Sequence, residues 1–255
     1  MTTDRKEQIC NLLKGIEKGD PASVSVVNEA KYIQHNPQTH EGSEGLAKLF
    51  KRLSESSPRV NIVRIFEDRD FVFAHTEYDF ASRNIGFEIF RFEDNQAVEH
   101  WDNIQHRYRP NSSGHSMVDG ETDVTDLALT ESNRSIIRSF IDDALIQGHH
   151  AIIPEYLNEN IYTEHNPFLT DDWSSLHAIP RKSPTSDANS IHYEKCHRLL
   201  AEGNFVLSVC EGYVNQISSS FFDLYRLKTG KIVEHWDTTE AIPPRSEWKN
   251  DNGKF

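Results

Sequence analysis

Two short motifs that combine acids, histidine and aromatic residues each occur twice in this sequence of 255 residues. The pentamer Val-Glu-His-Trp-Asp ends at Asp102 and again at Asp237, and Tyr-x-x-His-Asn-Pro begins at Tyr32 and again at Tyr162. On a β-strand, an imidazole two residues before a carboxylate lies on the same face of the sheet. His100 and Asp102 therefore form a pair of groups suited to proton transfer.

A third acidic position completes each candidate site. Glu88 aligns with Asp223, and each precedes the pentamer of its own copy. Because an apolar cavity penalises an ionised carboxylate, burial raises its proton affinity and makes it a usable general base. We therefore predict one catalytic acid–histidine–acid site per copy, formed by Glu88, His100 and Asp102 and by Asp223, His235 and Asp237. The alternative is a solvated polar face or a satisfied hydrogen-bond ladder.

The turn of the last hairpin decides which side chains share a face. Asn95 and Gly230 align at this turn, and both residue types tolerate the left-handed conformation that closes a three-residue loop. Such a loop predicts that Glu88 lies opposite His100. One face of the sheet would then carry Glu88, Phe90, His100 and Asp102. A two-residue loop would instead turn the last two of these away.

The His-Asn-Pro motif and one further histidine supply more candidate groups. We predict His35 at the mouth of the cavity as a donor to a substrate oxygen, with a cap on the preceding backbone as its alternative. His165 is its counterpart. His75 joins the cavity if the odd-numbered residues of its strand point inward. The predicted ligand-binding residues are Tyr32, Asn36, His75, Phe90, Tyr162 and Asn166.

A metal site is the weaker interpretation of these histidines. His35, His75 and His100 with Asp102 could supply three imidazoles and a carboxylate. They come from separate segments, however, and the sequence has no HxH or HExxH pairing. A Gly-rich phosphate loop and a Gly-x-Ser-x-Gly elbow are also absent from the sequence. We therefore predict no metal ion.

The elements that must position these groups follow one order in both copies. Each copy begins with an amphipathic helix and a short helical segment before the His-Asn-Pro motif, and a third helix is expected at 45–53 and at 173–179. Four β-type runs follow in each copy, at 60–67, 71–80, 86–93 and 97–105 and at 191–201, 205–214, 219–227 and 231–239. Helices followed by hairpin-linked strands predict an α+β fold, with the helices on one face of an antiparallel sheet.

The repeat also sets the predicted domain boundaries. The first copy spans 1–106 and the second spans 130–242. Residues 107–129 have turn chemistry and no apolar period, which is typical of a linker. Residues 243–255 are predicted to form a polar, frayed tail.

Composition narrows the range of partners and compartments. With 40 Asp and Glu against 27 Lys and Arg, the net charge is −13, which disfavours binding to nucleic acid. The sequence contains no apolar run of the ~20 residues that span a bilayer, and the charged N-terminal pattern differs from a signal peptide. Cys10, Cys196 and Cys210 show no metal-ligand spacing and are expected to be reduced thiols. We expect a cytoplasmic protein with a small-molecule ligand and neither a nucleic-acid nor a membrane partner.

The motif series resembles that of the SnoaL-like polyketide cyclase family, which belongs to the nuclear transport factor 2-like superfamily. The segments that carry the resemblance are Tyr-Ile-Gln-His-Asn-Pro, residues 41–45, residues 88–92 and residues 97–102. The second copy departs from the pattern at 170–175 and where Val209 replaces His75.

The resemblance implies two tandem cone-shaped α+β barrels, each with a strongly curved sheet around a deep pocket. It also implies an intrachain pseudo-dimer and leaves further homo-oligomers open. In that family a pocket Asp closes a ring by aldol chemistry without a cofactor, and the role maps onto Asp102 and Asp237. The function expected is a cofactor-independent general acid/base enzyme acting on a small, largely apolar carbonyl compound. A non-catalytic ligand-binding or dimerisation scaffold of the same fold is the alternative.

Overall fold

The protein divides into two compact units. The structure, a computed structural model, describes residues 4–40, 48, 51, 58–80, 82–172, 174 and 191–255. Unit one comprises Met1–Arg107 together with Ile242–Phe255, and unit two comprises Tyr108–Ala241. The segment that we predicted as a linker therefore falls almost wholly within unit two, and the predicted tail belongs to unit one.

Unit one combines N-terminal helices with a five-stranded sheet. Helix α1 (Arg5–Lys18) and a 3-10 helix (Pro21–Val26) precede the strands. The strands are β1 (Ile33–Gln34), β2 (Arg59–Asp68), β3 (Phe71–Asp79), β4 (Arg83–Glu93) and β5 (Gln96–His106). Their order is β1-β5-β4-β3-β2, with β1 parallel to β5 and the other pairs antiparallel.

Unit two repeats this topology. Helix α2 (Thr130–Ser139) continues as a π-helix (Phe140–Ile146), and a short α3 (Ile153–Tyr156) follows. The strands are β6 (Thr163–Glu164), β7 (Ile191–Glu202), β8 (Phe205–Val214), β9 (Ile217–Lys228) and β10 (Lys231–Ala241). Their order, β6-β10-β9-β8-β7, matches that of unit one strand for strand.

Local chemistry fixes both ends of α1, and its apolar side forms the core of unit one. The Asp4 carboxylate accepts a hydrogen bond from the Lys6 amide, and Gly19 closes the helix with a left-handed φ of 59°. The helix packs on the sheet face that carries the site. The buried core includes Ile9, Leu12, Leu13 and Ile16 from the helix and Val60, Val72, Tyr78 and Phe90 from the strands.

The predicted α+β class with two tandem copies is confirmed, and all eight predicted strands are present. The sequence did not reveal β1 and β6, because two-residue strands carry too little alternation to recognise. The third helix of each copy, expected at 45–53 and 173–179, lies largely outside the described residues. The three cysteines are free thiols, and no helix in the described part of the chain is long and apolar enough to cross a membrane.

The predicted register of the last hairpin is wrong, although the predicted face is right. The loop has two residues, Asp94 and Asn95, both with positive φ, as a type I′ turn requires. A β-bulge then inserts one extra residue before Glu99 pairs with Arg91. Glu88 therefore lies opposite Asp102 rather than His100. Because the bulge shifts the alternation by one residue, Glu88, Phe90, His100 and Asp102 still share one face.

Unit two uses the same device. Thr229 and Gly230 form a two-residue turn with positive φ, and the register shifts between Ile232 and Glu234. Asp223 pairs with Asp237 in consequence. The bulge is thus a repeated feature that aims the acid and the imidazole of each copy.

Candidate functional site

A carboxylate–imidazole pair lies at the centre of the site in unit one. His100 Nε2 is 2.7 Å from Glu88 Oε2, and His100 Nδ1 is 3.0 Å from Gln34 Oε1. The parallel pairing of β1 with β5 places Gln34 directly beside His100. The Tyr78 hydroxyl donates to the other oxygen of Glu88 at 2.6 Å. Both ring nitrogens of His100 thus face oxygen acceptors, so the ring donates twice when it is protonated.

Asp102 stands beside this pair and is only 7% exposed. The Asn36 amide donates to Asp102 Oδ2 at 2.8 Å, while Oδ1 accepts no hydrogen bond from the described residues. The Tyr32 hydroxyl is buried and also has no hydrogen-bond partner in the described part of the chain. Burial, together with the charges of Asp102 and Glu88, raises the pKa of Tyr32 well above its usual value, so the phenol keeps its proton. Tyr32 is therefore a donor whose hydrogen bond is unused.

Unit two builds a more acidic version of the site, because Glu164 replaces Gln34. Its carboxylate oxygens lie 2.9 Å and 3.1 Å from His235 Nδ1, and His235 Nε2 lies 3.2 Å from Asp223 Oδ1. Oε2 of Glu164 also accepts a hydrogen bond from the Tyr162 hydroxyl at 2.5 Å. Tyr32 has no hydrogen-bond partner among the described residues of unit one, whereas its counterpart in unit two donates to a carboxylate.

The electrostatics of unit two follow from this replacement. Burial acts to lower the pKa of His235, but the charge of Glu164 and the hydrogen bonds to Asp223 and Glu164 outweigh it, so the pKa lies well above its ordinary value. Burial raises the pKa of Asp237 to about 7, and the charges of Asp223 and Glu164 add to this. The charge of His235 and the hydrogen bond from Asn166 oppose the rise. Asp237 is thus balanced between its two protonation states at neutral pH.

In both units a tyrosine hydroxyl donates to the acid that precedes the pentamer, Glu88 or Asp223. The two tyrosines lie on strands that are not equivalent. Tyr78 on β3 pairs with Val60 on β2, whereas the equivalent pair in unit two is Gly212 on β8 and Tyr193 on β7. The Tyr193 hydroxyl donates to Asp223 Oδ1 at 3.0 Å. The tyrosine has changed strand between the copies, but a buried phenol still donates to the same carboxylate.

His35 and His165 lie on the other face of the sheet, so the predicted position at the cavity mouth is wrong. His35 stacks on Trp101 with ring centroids 4.6 Å apart, and His165 stacks on Trp236 at the same distance. His35 Nε2 is 2.9 Å from Oε1 of Glu99. Glu99 precedes His100 on β5, so the two side chains point to opposite faces of the sheet. The strand geometry explains this placement. Gln34 pairs with His100, and the side chain of the next residue, His35, points to the opposite face of the sheet.

An arginine–glutamate ion pair lies beside each of these histidine–tryptophan stacks. Arg91 donates to Glu99, and Arg226 donates to Glu234 in unit two. Burial acts to raise the pKa of Glu99, but hydrogen bonds from His35 and Arg91 outweigh it and hold the pKa below its usual value. This pattern, repeated in Glu234, indicates an ion-pair network that anchors the His-Asn-Pro loop rather than a group that meets substrate.

His75 is also turned away from the site. It pairs with Phe87 on the same face as Trp101, and its Nδ1 lies 3.1 Å from an Arg64 guanidinium nitrogen. The even-numbered residues of β3, including Tyr78, point towards Glu88 instead. Phe90 does lie on the predicted face, stacked on His100 with centroids 4.4 Å apart.

One group of potential metal ligands forms within the described residues, and it differs from the set weighed in the sequence. Ligand atoms of Glu88, His100 and Asp102 lie within 4.8 Å of one another, whereas His35 and His75 lie on the opposite face. Glu88 already binds His100 directly, and the ammonium of Lys254 lies 3.7 Å from Asp102 Oδ1. A cation bound here would be repelled by that ammonium, so the donor set fits a metal ion poorly.

Several functional candidates escaped sequence reasoning. Gln34 and Glu164 occupy the same position of the repeated Tyr-x-x-His-Asn-Pro motif, so the alternation of that motif could have revealed them. Tyr78 and Tyr193 occupy non-equivalent positions in the two copies, which hides them from a comparison of the repeats. Lys254 carries no motif at all. The enclosed ligand cavity expected on this face stays a prediction.

Comparison with known proteins gives similarity at the level of solved structures. No protein-family model and no curated protein matches the sequence. Similar structures include TsrD from Streptomyces laurentii, with 19% identity over 39% of this chain and 86% of that chain and a TM-score of 0.35. IdmH, a putative polyketide cyclase from Streptomyces antibioticus, has 16% identity over 40% of this chain and 92% of its own, with a TM-score of 0.36.

A further similar structure is an LEH-like epoxide hydrolase of M. tuberculosis, with 17% identity over 41% of this chain and 84% of its own and a TM-score of 0.35. Identities and TM-scores this low say nothing about the activity of this chain.

Proposed function

We propose that this protein is a general acid/base enzyme that removes a proton next to a carbonyl group of a small, largely apolar compound, with Asp102 and Asp237 as the bases. The observation that carries the proposal is the repeated geometry. In both units an Asp held by an Asn amide lies on the same face as a buried carboxylate–imidazole pair. The reaction type, an aldol closure or an isomerisation, depends on the substrate.

The chemistry suits side chains alone. A carbon next to a carbonyl is weakly acidic, and a carboxylate with a pKa near neutrality is a better base for it than one near 4. Asp237, with a pKa of about 7, meets this requirement. Proton transfer to a positioned carboxylate contributes roughly 100-fold to 10,000-fold to the rate.

The enolate formed in this step needs a hydrogen-bond donor. In unit one the Tyr32 hydroxyl is the group that supports this role, because it is buried, protonated and without a partner among the described residues. A preorganised donor aimed at the developing charge is worth far more in a dry site than in water. In unit two the Tyr162 hydroxyl already donates to Glu164, and the Asn166 amide already donates to Asp237. We therefore propose unit one as the more competent site.

A binding scaffold is the second candidate, and one observation favours it. Asp223 accepts from Tyr193 at 3.0 Å, from Ser208 at 3.4 Å and from His235 at 3.2 Å. A buried carboxylate with this many donors resembles a structural network. Such a network would hold a ligand pocket rigid without taking part in proton transfer.

Hydrogen exchange of a simple ketone tests the choice. The purified chain is incubated with 1-tetralone in D₂O, and loss of the α-proton signal is followed by NMR. We expect exchange by the wild type and a loss of at least about 100-fold in the double variant Asp102→Asn/Asp237→Asn. Asp251→Asn, which changes a side chain that is 92% exposed, is the matched control.

The single variants assign the activity to a unit. Asp102→Asn should remove most of the exchange and Asp237→Asn a smaller part, because Tyr32 supports unit one. Exchange that is equal in the wild type and the double variant would overturn the catalytic proposal. Binding of 1-tetralone by both proteins without exchange would then support the scaffold.

A further inference from the structure

The C-terminal segment of the chain lies along the His-Asn-Pro loop of unit one. The Asn250 side chain donates to the carbonyls of Asn36 and Thr39, at 2.7 Å and 3.0 Å. The Asn252 side chain donates to the Gln34 carbonyl at 3.0 Å. Side-chain amides of the segment thus donate to backbone carbonyls of the loop that carries Asn36. These hydrogen bonds fix the position of the segment along the loop.

Near the end of this segment, Lys254 lies beside the candidate base, Asp102. The Lys254 ammonium donates to the backbone carbonyl of Asp102 at 2.7 Å and lies 3.7 Å from Asp102 Oδ1. Lys254 is only 4% exposed. Lysine is rarely buried unless it is paired, and this ammonium pairs with the Asp102 backbone carbonyl and lies within ion-pair distance of the Asp102 carboxylate.

Besides the tail, the segments that flank β1 and three strands supply the groups that face Asp102. Asn36 donates to Oδ2 and Tyr32 precedes β1. Tyr78 lies on β3, Glu88 lies opposite on β4, and His100 lies two residues earlier on β5. Glu88 is already paired with His100. The Lys254 ammonium is consequently the cation within ion-pair distance of Asp102 among the described residues.

The described residues of unit two place no such cation beside Asp237. There the segment that precedes the second copy contacts the equivalent loop, with the Ser116 carbonyl 2.8 Å from His165 Nδ1, as the Gly253 carbonyl is 3.1 Å from His35 Nδ1 in unit one. No lysine or arginine of the described residues lies within 4.0 Å of the Asp237 carboxylate. The two sites therefore differ in charge at the position of the base.

We propose that Lys254 is a positioning residue for Asp102, so that the C-terminal segment is a working part of the site in unit one. The inference rests on the proposed function for the role of Asp102 as base. An ammonium within about 4 Å of a carboxylate favours its charged form and restrains its orientation. The tail therefore places a positive charge beside the candidate base of unit one, at a position where the described residues of unit two place none.

The test reads the charge of Asp102 without any substrate. The Asn36 side-chain amide donates to Asp102, so its NMR signals report whether that carboxylate is protonated. In Lys254→Met and Lys254→Gln, the pH-dependent change of these signals should move upward by about one pH unit or more. Lys254→Arg should restore the wild-type profile.

Lys249→Met is the matched control, because Lys249 is exposed in the same segment. The glutamine variant keeps a donor for the Asp102 carbonyl, so it separates loss of charge from loss of folding. Profiles of Lys254→Met and Lys254→Gln that coincide with that of Lys249→Met would overturn the proposal, since a purely structural lysine leaves the Asn36 profile unchanged.

A second readout separates this inference from the proposed function. In an Asp237→Asn background, where unit one alone can act, Lys254→Met should slow the exchange of 1-tetralone at least about 1.5-fold at pH 5 and by a much smaller factor at pH 8. Absence of exchange in the wild type would overturn the proposed function, while the Asn36 profile would still decide the role of Lys254. An equal loss of exchange at both pH values would overturn the role of Lys254 while leaving the proposed function in place.

Discussion

The side-chain amide of Asn166 donates to both carboxylate oxygens of Asp237, at 2.9 Å each. In unit one the equivalent amide, on Asn36, reaches one oxygen of Asp102 at 2.8 Å. The asparagine of the His-Asn-Pro motif is thus the group that holds the candidate base in each unit. Its backbone position follows from the short parallel strand that precedes it.

Removing this amide should make Asp237 a weaker acid. The hydrogen bond from Asn166 favours the charged carboxylate, so Asn166→Leu should raise the pKa of Asp237 above its present value of about 7. Carbon-detected NMR of the carboxyl group across pH measures the change. Asn36→Leu, in the other unit, is the control and should leave Asp237 as it is; a similar titration in all three proteins would contradict the role of Asn166.

Asp237 should also make stability depend on pH. The unfolded chain releases this proton near pH 4, whereas the folded chain keeps it until about pH 7. The folded state therefore binds more protons in this window, and stability falls as pH rises from about 4 to 7, by roughly 4 kcal/mol for the full shift. Asp237→Asn should lose this dependence in urea unfolding at pH 4.5 and 8, while the exposed Asp251→Asn should keep it.

Glu164 should control the charge of His235. The neighbouring carboxylates raise the pKa of His235, so its charge contributes stability that is complete below about pH 6.5 and is lost as pH rises through the folded-state pKa. Glu164→Gln removes one carboxylate, so it should lower the pKa of His235 and move this loss to lower pH. Imidazole NMR measures the pKa, and the exposed Glu159→Gln is the control; an unmoved His235 would refute the assignment.

The two motif tyrosines should respond oppositely to loss of their hydroxyl groups. Tyr162→Phe removes one donor from the buried Glu164 carboxylate, which keeps the Asn166 backbone amide and His235, and should cost about 1–3 kcal/mol in urea unfolding. Tyr32→Phe removes a hydroxyl that has no partner among the described residues, so stability should change little or rise. The same Tyr32→Phe change should lower ketone exchange by unit one. Equal destabilisation by the two variants would show that Tyr32 has a structural partner.

Much of the architecture could be predicted from the sequence because it depends on local patterns. The repeated motifs, the alternation of the eight longer strands and the apolar periodicity of α1 are properties of neighbouring residues. The shared face of Glu88, His100 and Asp102 was also predicted, although from the wrong register. The two-residue strands β1 and β6 escaped, since their pairing partners lie far along the chain.

The sequence by itself determined the duplication, the α+β class and the acid–histidine–acid pattern, because spacing along a strand sets which side chains can share a face. The tertiary structure decided the rest. It paired β1 with β5, which turned His35 onto Trp101 and brought Gln34 to His100. It also carried Lys254 from the end of the chain to Asp102. These contacts join residues that are distant in sequence, so only the packing of the whole unit specifies them.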